Sequence, residues 1–143
     1  MSENALLTEF ALELRVSIGR PLSLGPAAFG ARRTIPITGG EFEGPRIKGQ
    51  VLAGGADYQI VRADGVTTVE AIYTIQAEDG AMIHVRNIGI VVPPGDGPGY
   101  VRTTPTFDAP QGPHDWLNKA IFVGSLRVNG ERNGVIIRAY RVV

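Results

Sequence analysis

The chain contains no cysteine in 143 residues, which excludes disulfides, thiolate metal sites and a cysteine nucleophile. It has no excess of charge of either sign: fourteen Lys and Arg balance fourteen Asp and Glu. Without a basic stripe, nucleic acid is not expected as a partner. No segment approaches the roughly 18 consecutive apolar residues of a spanning helix. The first residues, Met1-Ser2-Glu3-Asn4-Ala5-Leu6-Leu7, lack a basic start ahead of an apolar run. No membrane partner and a cytoplasmic location are the expectations.

Several catalytic devices are missing as well. The serines are Ser2, Ser17, Ser23 and Ser125, and none sits in G-x-S-x-G. His84 and His114 stand thirty positions apart with no H-E-x-x-H motif, so neither a triad nor a metal site is expected. The glycine-rich region from 39 to 55 has no G-K-[ST] and no following helix to receive phosphate. No cofactor is expected. Sustained helical periodicity is absent too; the one helical candidate is a single turn from His114 to Ala120, which Asp115 could cap.

Alternation with period two is abundant instead. Phe10, Leu12, Leu14, Val16 and Ile18 share one face against Glu9, Ala11, Glu13, Arg15 and Ser17. Val69, Ala71, Tyr73, Ile75 and Ala77 likewise oppose Glu70, Ile72, Thr74, Gln76 and Glu78. Asp64-Gly65 and Asp79-Gly80 read as hairpin turns, and residues 121–128 and 134–142 form a further strand pair. Residues 93–113 carry six prolines and four glycines. They read as a strand around Tyr100–Phe107 flanked by rigid loops at a barrel mouth, with a disordered linker as the alternative. Together these features predict one all-β domain over residues 1–143, an antiparallel up-and-down, calycin-like barrel, with a β-sandwich as the alternative.

The glycines of the central run are Gly39, Gly40, Gly44, Gly49, Gly54 and Gly55, and the run ends on Asp57-Tyr58. So many glycines in a strand region imply bends, bulges or a backbone packed closely on its neighbours. Asp is depleted in strands. Asp57 is therefore either a turn former bonded to its own backbone or an interior carboxylate whose burial suits it to proton transfer. Arg102 is a candidate counter-charge or ligand clamp; Trp116 and Asn118 are candidate ligand-binding groups, although a lone Trp is as readily core.

The 66–92 hairpin leaves its register open. A two-residue Asp79-Gly80 turn would pair Ile75 with His84 and Tyr73 with Arg86. That would place Tyr73 and His84 on one face as ligand-binding candidates. A slip of one residue would change every partner; the alternative reading is that His84 and Arg86 point to solvent on the outside of the sheet.

The pattern Gly39-Gly40-x-Phe42-x-Gly44-Pro45-x3-Gly49-x-Val51-Leu52-x-Gly54-Gly55-Ala56-Asp57-Tyr58 resembles the signature of the DUF3237 (UPF0311) proteins. Asp79-Gly80-Ala81-x-Ile83, Tyr100-x-Arg102-Thr103-x-Pro105-x-Phe107, Trp116-Leu117-Asn118 and Phe122-Val123-Gly124 extend the likeness in order along the chain. Tyr58 departs from it where that family is expected to carry tryptophan. The resemblance implies a small β-barrel that self-associates into a homo-oligomer, with a pocket at Asp57, Tyr58, Arg102, Trp116 and Asn118. It implies no agreed substrate. The expectation for function is a cofactor-independent barrel enzyme acting on a small carbonyl or lactone-like metabolite. Asp57 would be its general acid/base and Arg102 the stabiliser of negative charge. The alternative is a non-catalytic carrier of a small hydrophobic molecule.

Overall fold

A computed structural model describes residues 4–143. Within them, ten strands form one antiparallel sheet: β1 (Thr8–Ile18), β2 (Leu22–Ala27), β3 (Gly30–Glu43), β4 (Lys48–Val51), β5 (Ala56–Val61), β6 (Thr67–Ala77), β7 (Met82–Val92), β8 (Tyr100–Asp108), β9 (Phe122–Val128) and β10 (Gly134–Val142). The long β3 is flanked on one side by β1 and β2 in succession and on the other by β4 and β5. Counting each succession as one bent strand gives an eight-stranded barrel. Pairing of β1 with both β10 and β3 closes it. Closure satisfies the strand edges that an open sheet would expose. The barrel expectation holds over the sandwich. Among the described residues, no helix is long and apolar enough to cross a membrane.

The two halves of the interior differ. At one end Leu12, Phe42, Ile75, Ile83 and Phe122 are almost fully buried, each side chain contributing about 1.5–3 kcal/mol. A 3-10 turn, Asp115–Lys119, closes this end with the buried Leu117. The expected single turn is present, but Asp115 lies in its first turn and does not cap it; His114 holds the cap position without a side-chain bond. At the other end, where β6 begins and β7 finishes, the interior opens into a cavity.

Register departs from simple alternation at two places. A bulge between Phe10 and Leu12 turns Ala11 inward and brings Phe10 out, where it packs on Tyr140 and Arg138. Leu12, Leu14 and Val16 keep the expected inner face. In the 66–92 hairpin, Ala77 N–H donates to the Ala81 carbonyl, so the turn holds three residues, Glu78, Asp79 and Gly80. Gly80 alone takes the left-handed conformation (φ 94°), as a three-residue loop requires and a two-residue type I′ turn does not. Thr74 then faces His84 and Ile72 faces Arg86, one residue away from the pairing expected for a two-residue turn. The Asp64-Gly65 turn is built the same way, with Arg62 N–H donating to Val66.

The glycine run works through backbone proximity. A Cβ on Gly40, whose φ is 136°, would stand 2.1 Å from the Arg15 carbonyl oxygen. One on Gly55 would stand 2.4 Å from that of Ile72. Val51 faces Ile75 and Ala56 faces Ile72, so the four residues 52–55 cross only two of β6. That two-residue excess bends β4 into β5 and keeps inside/outside parity. Val51 and Asp57 therefore both point inward.

Candidate functional site: the cavity around Asp57

Cross-strand pairing assembles the site in rows. Ile35 on β3, Asp57 on β5, Ala71 on β6 and Asn87 on β7 are successive partners around the wall. Tyr73 lies two residues deeper along β6; Arg33, Gln59 and Val69 form the next row toward the mouth. The cavity they enclose with Val16, Ile37, Leu126 and Ile137 measures about 250 Å³. Its wall is mostly aliphatic, with polar groups gathered on the β3–β5–β6–β7 side.

Asp57 is held at both oxygens. Gln59 Nε2 donates to Oδ2 at 2.6 Å, and the Glu70 backbone N–H donates to Oδ1 at 3.1 Å. Gln59 in turn accepts from Arg33 Nε at 2.5 Å. Burial pushes the Asp57 carboxyl above its ordinary range; the bonds from Gln59 and Glu70 and the positive charge of Arg33 oppose that rise without cancelling it. Tyr73 is 3% exposed, and burial followed by the nearby Asp57 charge raises its phenol well above the usual value. It therefore stays protonated, a hydrogen-bond donor. Among the described residues, neither Tyr73 Oη nor Asn87 Oδ1 finds a hydrogen-bond partner.

The sequence-derived candidates divide by strand parity. Asp57 and Tyr73 face the cavity. Tyr58 follows Asp57 and so points outward, exposed. His84 and Arg86 are exposed on the outer face because of the three-residue turn, and Arg86 pairs there with Glu70 at 2.6 Å. Arg102 alternates with the inward Val101 and Thr103; it lies exposed on the barrel exterior, donating to the Val101 carbonyl and lying over the Tyr100 ring. The expected pairing of Asp57 with Arg102 is not formed: the two side chains lie on opposite faces of the sheet.

Trp116 and Asn118 stand at the closed end, away from the cavity. Trp116 packs on Phe122 beneath the Arg46 guanidinium at 4.2 Å. Asn118 bonds both the N–H and the carbonyl of Ala109 at 2.8 Å, anchoring the segment after β8. The described residues bring no group of three or more His, Asp or Glu together in a way that could hold a metal ion.

Three site residues escaped the sequence reading. Gln59 carried a signal, since it lies two residues beyond Asp57 on the same face. Asn87 becomes visible once the 66–92 register is known. Arg33 carried no local signal; its place comes from pairing with β5.

Comparison with known proteins agrees with this architecture. Residues 7–142 match the family model described as a protein of unknown function, DUF3237. The chain is 36% identical to a UPF0311 protein of Rhodopseudomonas palustris, over 96% of this chain and 97% of the relative. A β-barrel-like protein of Acinetobacter baumannii superposes with a TM-score of 0.90 at 29% identity, covering 99% of each chain. An enzyme from Penicillium herquei superposes with a TM-score of 0.78 at 23% identity, over 100% of this chain and 98% of the other; that likeness is one of fold. With nearly its whole length matched by the family model and by relatives of its own size, the chain belongs to the DUF3237 (UPF0311) family.

Proposed function

We propose that the protein is a cofactor-independent enzyme that performs acid/base chemistry on a small carbonyl or lactone-like compound held in the cavity around Asp57. The observation that carries this reading is a carboxyl group with a raised pKa in a mostly aliphatic cavity, next to a phenol without a hydrogen-bond partner among the described residues. A carboxylate so placed is a stronger base than one in water and regains its proton more readily. Asp57 removes a proton from the carbon beside a carbonyl, or from a water attacking a lactone, and then returns it. Tyr73 Oη donates to the oxygen on which negative charge develops, the role first expected of Arg102. The fold likeness to a protein described as an enzyme is compatible with catalysis in this barrel.

Asp57→Asn tests this. A panel of small lactones and enolisable ketones in D2O would be followed by NMR for ring opening or deuterium uptake. The wild type is expected to convert at least one member, and the folded variant to lose about 10²–10⁴ in rate. Equal rates would sink the assignment.

The aliphatic majority of the wall favours a second reading, a carrier of a small hydrophobic molecule. It requires tight retention without conversion, seen as an unaltered ligand recovered from the protein by mass spectrometry.

A further inference from the structure

Polar atoms in the cavity wall have hydrogen-bonding capacity that the protein does not use. Tyr73 Oη and Asn87 Oδ1 have no partner among the described residues, on side chains of residues only 3% and 2% exposed. Asp57 accepts one hydrogen bond at each oxygen, and a carboxylate oxygen can accept two. Strand register fixes their arrangement. Ala71 stands between Asp57 and Asn87 across the wall, and its methyl group is the smallest side chain of that row. Tyr73 lies beneath, toward the closed end.

These groups ask for different things. Tyr73, held protonated, offers a hydrogen and lacks an acceptor. Asn87 Oδ1 lacks a donor, and ionised Asp57 accepts another. Pure hydrocarbon leaves Tyr73 Oη and Asn87 Oδ1 unpaired, which a buried polar group penalises. A simple ketone serves Tyr73 alone. An ammonium ion gives donors to Asn87 and Asp57 but nothing to Tyr73, and it must enter past the exposed Arg33 guanidinium that lines the mouth. A ligand with a carbonyl oxygen for Tyr73 and a separate hydroxyl for Asn87 serves both groups at once. The 250 Å³ of space lies just under the ~300 Å³ low end of ordinary ligand pockets, so the inserted portion is a single ring or its equivalent.

We infer that the cavity takes an uncharged hydroxy-carbonyl compound of single-ring size, its carbonyl oxygen accepting from Tyr73 Oη and its hydroxyl donating to Asn87 Oδ1. This deepens the acid/base reading and rests on the same cavity being the site. It also explains why a mostly aliphatic cavity wall keeps a phenol and an amide oxygen without partners among the described residues.

Calorimetric titration with defined probes tests it: the three hydroxyacetophenone isomers, acetophenone, phenol, ethylbenzene and benzylamine. At least one hydroxy ketone should bind about tenfold more tightly than every other class, the ratio one well-placed hydrogen bond gives. Tyr73→Phe should bring that isomer down to the affinity of phenol. Asn87→Leu, of similar volume, should bring it independently to that of acetophenone. Ethylbenzene or benzylamine binding as tightly, a preference that survives both substitutions, or no binding by any probe would overturn the inference. Asp57→Asn separates the two claims. Lost turnover with the preference intact supports both. Unchanged turnover with the preference intact overturns only the acid/base role, and lost preference with turnover kept in the wild type overturns only the ligand class.

Discussion

Gln59 stands between Arg33 and Asp57, accepting from the guanidinium through Oε1 and donating to the carboxylate through Nε2. Because Arg33 can only donate, it fixes which way the Gln59 amide faces. The charge of an exposed residue at the mouth thus reaches a carboxylate inside without contact. Arg33→Met should therefore raise the Asp57 pKa further, by removing both a positive charge and the constraint on the amide. A ¹³C NMR titration of the Asp57 carboxyl reads this directly. An unchanged or lower value in the variant would contradict the relay.

Asp57 also gives stability a pH dependence whose sign can be worked out. Its folded pKa lies above the ordinary 3.8, so the folded chain holds the proton over a wider range than the unfolded chain. Stability from this group is greatest below 3.8 and falls as pH rises through the folded value. Asp57→Asn removes that slope. Urea midpoints compared from about pH 3 to pH 7 should show the variant gaining on the wild type as pH rises. A gain in the opposite direction would mean a depressed pKa.

A buried hydroxyl without a protein partner costs about 1–3 kcal/mol, so Tyr73→Phe should leave stability unchanged or raise it by about 1 kcal/mol while impairing the site. Chemical denaturation beside a binding titration checks both halves. A loss of more than about 1 kcal/mol would assign the hydroxyl a structural bond instead.

Two residues expected in the pocket should behave as structural or surface groups. Arg102→Ala, on the outer face, should change stability by less than about 0.5 kcal/mol and leave ligand affinity alone. Asn118→Ala loses two bonds to Ala109 and should cost about 1–3 kcal/mol, again without altering affinity. Reduced affinity in the folded Arg102 variant would return that residue to the site.

Alternation made the barrel legible, because a half-buried strand must place apolar groups at every second position. It also made Asp57 legible, since an acid after a glycine run is out of place in a strand unless something requires it there. What alternation cannot encode is an offset. The extra residue at Ala11 and the third residue of the Glu78-Asp79-Gly80 loop each invert the inside/outside order between the residues before and after them. The loop decides that Asn87, and not His84, joins Tyr73 inside. Arg102 failed as a candidate for a related reason: its parity is set by β8, whose inward residues Thr103, Pro105 and Phe107 fix it outside. Arg33 depends on β3 meeting β5 across the bend at residues 52–55, a tertiary relationship with no local mark.

If the protein acts in the space between Asp57 and Asn87, then Ala71, which sits between them, is the residue whose size controls access to it. Ala71→Leu places a larger side chain in that space, at the cost of about 1–3 kcal/mol that added methylenes bring. Turnover of the lactone and ketone panel by this variant, with its folded state verified by circular dichroism, is the most direct test. Conversion and probe binding should both be lost while the fold remains. Wild-type conversion by the folded variant would contradict the assignment of this cavity as the site.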